Sequence, residues 1–138
     1  MSAWNEVYRE NILDHYKHPR NHGTLENPDV SYEDSNPLCG DVLRMDFKLE
    51  DGRIDQVRFS GHGCSISQAS ASMLCERVEG MSLEQAKRIS REDVLEMLGI
   101  ELGPVRLKCA LLCLKTLKAG VYGIRQWPGE EEEEEAAP

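Results

Sequence analysis

The chain has no internal repeat, no excess of basic residues and no apolar run of membrane-spanning length. A spanning helix needs about 18–20 consecutive apolar residues, and no window approaches that. Nor does an apolar leader follow Met1. With 16 Lys and Arg against 25 Asp and Glu, the formal net charge of −9 argues against a nucleic-acid partner. Six of those charges are the consecutive Glu130 to Glu135, so the rest of the chain carries a net −3. Residues 128–138 read as a disordered, solubilising acidic tail, and residues 1–127 as one domain large enough to bury a core unaided. Also missing are a P-loop, a dinucleotide fingerprint and a Ser-His-Asp order; Gly61 and Gly63 imitate only a fragment of a glycine-rich loop. Five cysteines is an odd number, which with the missing leader points to a reduced, cytoplasmic protein whose thiols are free for chemistry.

The elements follow from periodicity. Trp4, Val7, Tyr8, Ile12 and Tyr16 recur at helical spacing until Pro19, predicting an amphipathic helix over 3–17. A turn-rich stretch from His22 to Pro37 contains a short strand near Val30 to Ser35. Val42, Arg44, Asp46 and Lys48 then alternate with Leu43, Met45, Phe47 and Leu49, and Asp51-Gly52 leads into a second run from Ile54 to Ser60, the pattern of an antiparallel hairpin. After Cys64 the spacing of Ile66, Ala69, Met73, Leu74 and Val78 is helical, with Gly80 as the C-terminal cap. Ser82 with Gln85 and Ser90 with Asp93 mark the starts of two short helices, the second ending at Gly99. Pro104 opens a last helix, apolar nearly all round and expected to end at Gly120. Strands first and helices afterwards give an α+β domain, a small antiparallel sheet covered by helices.

The chemistry lies in the thiols. Cys39 and Asp41 flank Gly40 just before a strand, so both groups can reach one ion. Cys64 sits where a helix begins, where free N–H groups and the helix dipole favour an anion. Cys109 follows Lys108, whose ammonium favours a thiolate. Cys113 lies one turn beyond Cys109 and is read as core, though spacing alone leaves it open as a ligand. Cys75 is eleven residues past Cys64, about 16 Å along a helix, and is also read as core. Of the histidines, His15, His18, His22 and His62, only His62 is near a presumed ligand, and an exposed turn histidine is the simpler reading. Thiolates with one carboxylate suit tetrahedral zinc or a [2Fe-2S] cluster, held less firmly than four thiolates would hold it.

Four segments, in order, resemble the U-type iron-sulfur assembly scaffolds (IscU, SufU and the N-terminal domain of NifU). They are Ile12 to Asn21, Cys39-Gly40-Asp41, Gly61-His62-Gly63-Cys64 with Ser65 to Ser72, and Arg106-Leu107-Lys108-Cys109; the resemblance runs over roughly residues 4 to 120. It implies a three-stranded antiparallel sheet with helices, and convergence of Cys39, Asp41, Cys64 and Cys109 on one exposed site for zinc, iron or a transient [2Fe-2S] cluster. It further implies persulfide sulfur supplied by a cysteine desulfurase of the SufS or IscS type, with Cys109, beside the Lys108 ammonium, as the candidate sulfur acceptor, and delivery of the cluster to apo iron-sulfur proteins. Lys108 matches the SufU branch, where the IscU branch has histidine. The interval from Cys64 to Cys109 is too short for the insertion usual in SufU, so the chain mixes the two patterns. Leu102 to Arg106 only partly matches the chaperone-recognition stretch of the IscU branch.

Overall fold

The structure, a computed structural model, describes residues 3–124 and 126–128, with side chains from Glu6 onward. The element order is α1 (Ala3–Lys17), β1 (Val30–Asn36), β2 (Asp41–Glu50), β3 (Arg53–His62), α2 (Ser65–Val78), α3 (Leu83–Lys87), α4 (Arg91–Leu98) and α5 (Pro104–Tyr122). The three strands form one antiparallel sheet in the order β1-β2-β3. Asp51 and Gly52, with φ of 51° and 73°, supply the two left-handed positions that a tight hairpin turn between twisted strands demands. The acidic tail expected over 128–138 lies outside the described residues except for Pro128, which is buried.

Register decides what this sheet can present. Asn36 pairs with Asp41 across the β1-β2 turn, and Val42 pairs with His62 at the end of β3. The 36–41 turn and the chain leaving β3 toward Cys64 therefore lie at the same end of the sheet. At that end a Cβ on Gly61 would run into the Val42 carbonyl, so only glycine lets β2 and β3 close together there. Leu43, Met45 and Phe47 from β2 join Ile54, Val57 and Phe59 from β3 in the core, against α2 and α5. Burying each such side chain contributes roughly 1.5–3 kcal/mol. Helix α5 packs on β1, β2, α2 and α4, which explains why its sequence is apolar nearly all round.

Two expectations need correction. Helix α5 does not end at Gly120 but runs to Tyr122, with Gly123 as a left-handed cap at φ 71°. Gly120 is needed for another reason: a Cβ there would lie 2.8 Å from Tyr32 Cβ of β1. Gly80 is one residue past the α2 cap, which is Glu79. Asp46, on the face of β2 opposite the core, is buried as well. Burial opposes its charge, yet the Ser31 hydroxyl at 2.7 Å, the Leu25 N–H at 3.1 Å and the Arg44 guanidinium at 2.9 Å hold its carboxyl below the usual range. The capping residues behave as their sequence indicates: Ser82 accepts from Gln85 N, and Ser90 with Asp93 completes a capping box.

Candidate metal centre

Asn36 organises the turn that carries Cys39. Its backbone carbonyl accepts from Cys39 N at 3.2 Å and Gly40 N at 2.9 Å, and its side-chain oxygen accepts from Leu38 N at 3.3 Å. Gly40, at φ 70°, reverses the chain, and Asp41 opens β2 with its carboxylate fully buried. Asp41 Oδ1 accepts from Cys64 N at 2.9 Å, tying the first cysteine segment to the second. Its other oxygen is buried with no hydrogen-bond partner among the described residues. An ionised oxygen left so is costly unless something positive meets it.

Cys64 is the N-cap residue of α2 with an extended backbone (φ −71°, ψ 168°), and its thiol makes no capping bond. Gly63 before it has no room for a side chain, because a Cβ would collide with Asp41 Oδ1 and come 2.5 Å from Ser67 Oγ. Cys109, in the second turn of α5, is fully buried beneath the 36–41 turn. Its Sγ lies 2.8 Å from Cys39 Sγ and 3.7 Å from Asn36 Nδ2. The ligand atoms of Cys39, Asp41 and Cys109 all lie within 4.8 Å of one another. Cys64 stands outside that tight trio, yet its thiol is close enough to act on Cys109. Thiolates around zinc, with bonds of about 2.3 Å, would sit roughly 3.8 Å apart, so an ion entering here has to part Cys39 from Cys109 by about 1 Å. The donor set fits a soft or borderline cation: sulfur ligands and one carboxylate oxygen left without a partner among the described residues, with the start of α2 beside the carboxylate.

The sequence-based account of Cys109 does not survive in full. Burial, and then the adjacent Cys39, Asp41 and Cys64, push its thiol up rather than down. The Lys108 ammonium instead lies 5.0 Å from the centre of the Trp127 ring, which Lys115 approaches at the same distance. Cys39 and Cys64 are partly exposed, while Cys109 is buried. Cys113 and Cys75 are core residues as expected: Cys113 Sγ is 3.2 Å from Ser70 Oγ and burial pushes its thiol up to about 11, while Cys75 is pushed well up by burial. His62 is exposed, and His15 is buried with Nδ1 2.8 Å from Ser72 Oγ. Sequence reasoning missed Asn36; its one signal is an Asn-Pro before the cysteine, a pair that favours turns closed by the Asn side chain. A cavity of about 650 Å³ lined by Arg9, Gly99, Ile100 and Glu101 contains no thiol, and it lacks the convergent donors of the Cys39 turn.

The sequence profile described as the NifU-like N terminal domain matches residues 7–131. The chain is 37% identical over 132 residues to a Bacillus subtilis protein named zinc-dependent sulfurtransferase SufU, covering 83% of this chain and 89% of that one. It is 38% identical over 119 residues to the Escherichia coli protein named iron-sulfur cluster assembly scaffold protein IscU, covering 83% and 91%. Among solved structures, a Fervidobacterium islandicum protein described as an iron-sulfur cluster assembly scaffold for the SUF system superimposes with a TM-score of 0.70 at 29% identity, covering 85% of this chain and 98% of that one.

Proposed function

The chain belongs to the family of NifU-like N-terminal domains, and from that premise we propose that it is a scaffold on which a [2Fe-2S] cluster is built and released. Sulfur arrives as persulfide from a cysteine desulfurase, iron is the other substrate, and the finished cluster passes to apo iron-sulfur proteins. Cys39, Asp41, Cys64 and Cys109 are the ligands. The observation that carries this reading is the convergence of thiols from separate segments on a buried carboxylate whose second oxygen has no partner among the described residues. Thiolates hold iron and sulfide firmly, while a single carboxylate is a harder and weaker partner for the same iron. A site with one such ligand retains its cargo less tightly than four thiolates, as a transfer protein requires. The thiols stay reduced in a cytoplasmic setting.

Anaerobic addition of ferrous iron and sulfide to the metal-free chain tests the reading. We expect one [2Fe-2S] chromophore per chain that transfers to an apo-ferredoxin, and its loss in Cys39→Ser, Cys64→Ser and Cys109→Ser. No chromophore with all three thiols intact overturns it.

A second reading is favoured by Lys108 before Cys109 and by the similarity to the Bacillus subtilis sulfurtransferase. Here zinc is resident on the same four residues and supplies charge that keeps the thiols ionised, while one of them accepts sulfur from the desulfurase. Metal content and desulfurase stimulation measured on one preparation separate the two. Stimulation that requires zinc and disappears with it supports the second reading.

A further inference from the structure

Cys39 is partly exposed in its turn, beside the exposed Leu38 and Val105, whereas Cys109 is fully buried directly beneath it. The two sulfurs are 2.8 Å apart. Moving about 0.8 Å closer would bring them to a disulfide bond length of about 2.05 Å. An outer thiol that meets partners and an inner thiol in contact with it form the arrangement of an acceptor cysteine and a resolving cysteine.

From this geometry we propose that Cys109 reduces the sulfur that Cys39 receives. The inference rests on the reading above only in that sulfur reaches the chain as persulfide. Sulfur in a persulfide is sulfane sulfur, whereas a cluster contains sulfide, so two electrons per sulfur have to come from somewhere. The Cys39-Cys109 pair can supply them. Cys109 Sγ attacks Cys39 Sγ of the persulfide Cys39-S-SH, the Cys39-Cys109 disulfide forms, and the bond from Cys39 Sγ to the outer sulfur breaks. The outer sulfur leaves with the bonding pair as hydrosulfide, and the proton lost by Cys109 leaves with it as hydrogen sulfide. Counted from sulfane sulfur and two thiols, the sulfur gains two electrons and each cysteine loses one.

The attack comes from the buried side, so the departing sulfide leaves toward the open rim at Leu38 and Val105 rather than into the core. Asn36 Nδ2, 3.7 Å from Cys109 Sγ, is placed to donate to the Cys109 thiolate before it attacks, and that charge passes to the departing sulfur. A thiol or dithiol reductant reopens the disulfide for the next round. Sulfide release on this scheme belongs to the metal-free chain, because a metal bound to both thiolates occupies the electrons the step needs.

The full-length chain, freed of metal under anaerobic conditions and given one equivalent of glutathione persulfide, tests the proposal. We expect sulfide and the Cys39-Cys109 disulfide to form in equal amounts, read by bimane trapping and by non-reducing peptide mapping. This readout on the unaltered chain does not depend on any variant folding. In Cys109→Ser, shown to be folded by circular dichroism, Cys39 should instead hold an added mass of about 32 Da while sulfide release falls roughly tenfold. Stable persulfide on Cys39 of the unaltered chain, or release from Cys109→Ser at the unaltered rate, overturns this inference and leaves the scaffold reading standing. If neither protein takes up sulfur, even from a desulfurase and cysteine, both fall.

Discussion

Two residues with no ligand atom of their own control the site. Gly63 leaves the only space in which the Asp41 carboxylate can lie against the Cys64 N–H. Gly63→Ala should therefore displace Asp41 and lower zinc affinity at least tenfold in a chelator competition, while the fold survives at a cost of about 1–3 kcal/mol from overpacking. Unchanged affinity would mean that Asp41 is not a ligand. Asn36 holds both the Cys39 turn and the Cys109 sulfur. Asn36→Ala removes a fully buried, multiply bonded amide, and we expect a loss of about 1–3 kcal/mol in chemical denaturation together with faster alkylation of Cys109. The proposed ligands were legible because each stands at a break in periodicity: Cys39 in a turn, Cys64 at a strand-to-helix junction, Cys109 near a helix start. Asn36 was not legible, because an asparagine in a turn is ordinary and its contact with a residue 73 positions away exists only in the fold. Lys108 misled for the opposite reason. Adjacency in sequence suggested a charge on the thiol, but the side chain of a neighbouring helical residue points elsewhere, here onto Trp127.

The elements were read from pattern with few errors, since amphipathic helices and alternating strands state their period directly. All three strands, the capped starts of α3 and α4 and the proline-led start of α5 lie where the pattern predicts them. The end of α5 does not, because Gly120 is required by the approach of Tyr32 and terminates nothing. Gly120→Ala should accordingly destabilise the chain by about 1–3 kcal/mol in thermal or urea melts, although alanine is the better helix former. A gain in stability would show that β1 can yield. The seam between α1 and α2 carries a pH dependence. His15 is buried against Ser72, and burial, followed by the charge of Arg20, lowers its pKa below 6.5, while Glu76 and Asp14 act the other way. The unfolded chain then binds the proton first, so stability is full above about pH 6.5 and is lost as pH falls from there through the folded value. Melting temperatures recorded between pH 8 and pH 5 should fall in that window, and His15→Gln should flatten that part of the slope. An unaltered slope in the variant would place the titrating group elsewhere.

Across the whole molecule, the fold brings the four proposed ligands from distant parts of the chain to one end of the sheet: a strand turn, the start of β2, the start of α2 and the second turn of α5. None of the described helices is long and apolar enough to cross a membrane. Ligands that come from separate elements can part without unfolding any one of them, and the spacing of Cys39 and Cys109 requires such a movement when an ion enters. Zinc K-edge X-ray absorption on the full-length chain loaded with one equivalent of zinc tests the proposed ligand set. We expect three sulfur ligands at about 2.3 Å and one oxygen at about 2.0–2.2 Å, with one sulfur lost in each of Cys39→Ser, Cys64→Ser and Cys109→Ser. A shell of four sulfurs, or a first shell unchanged in any of those variants, would contradict it.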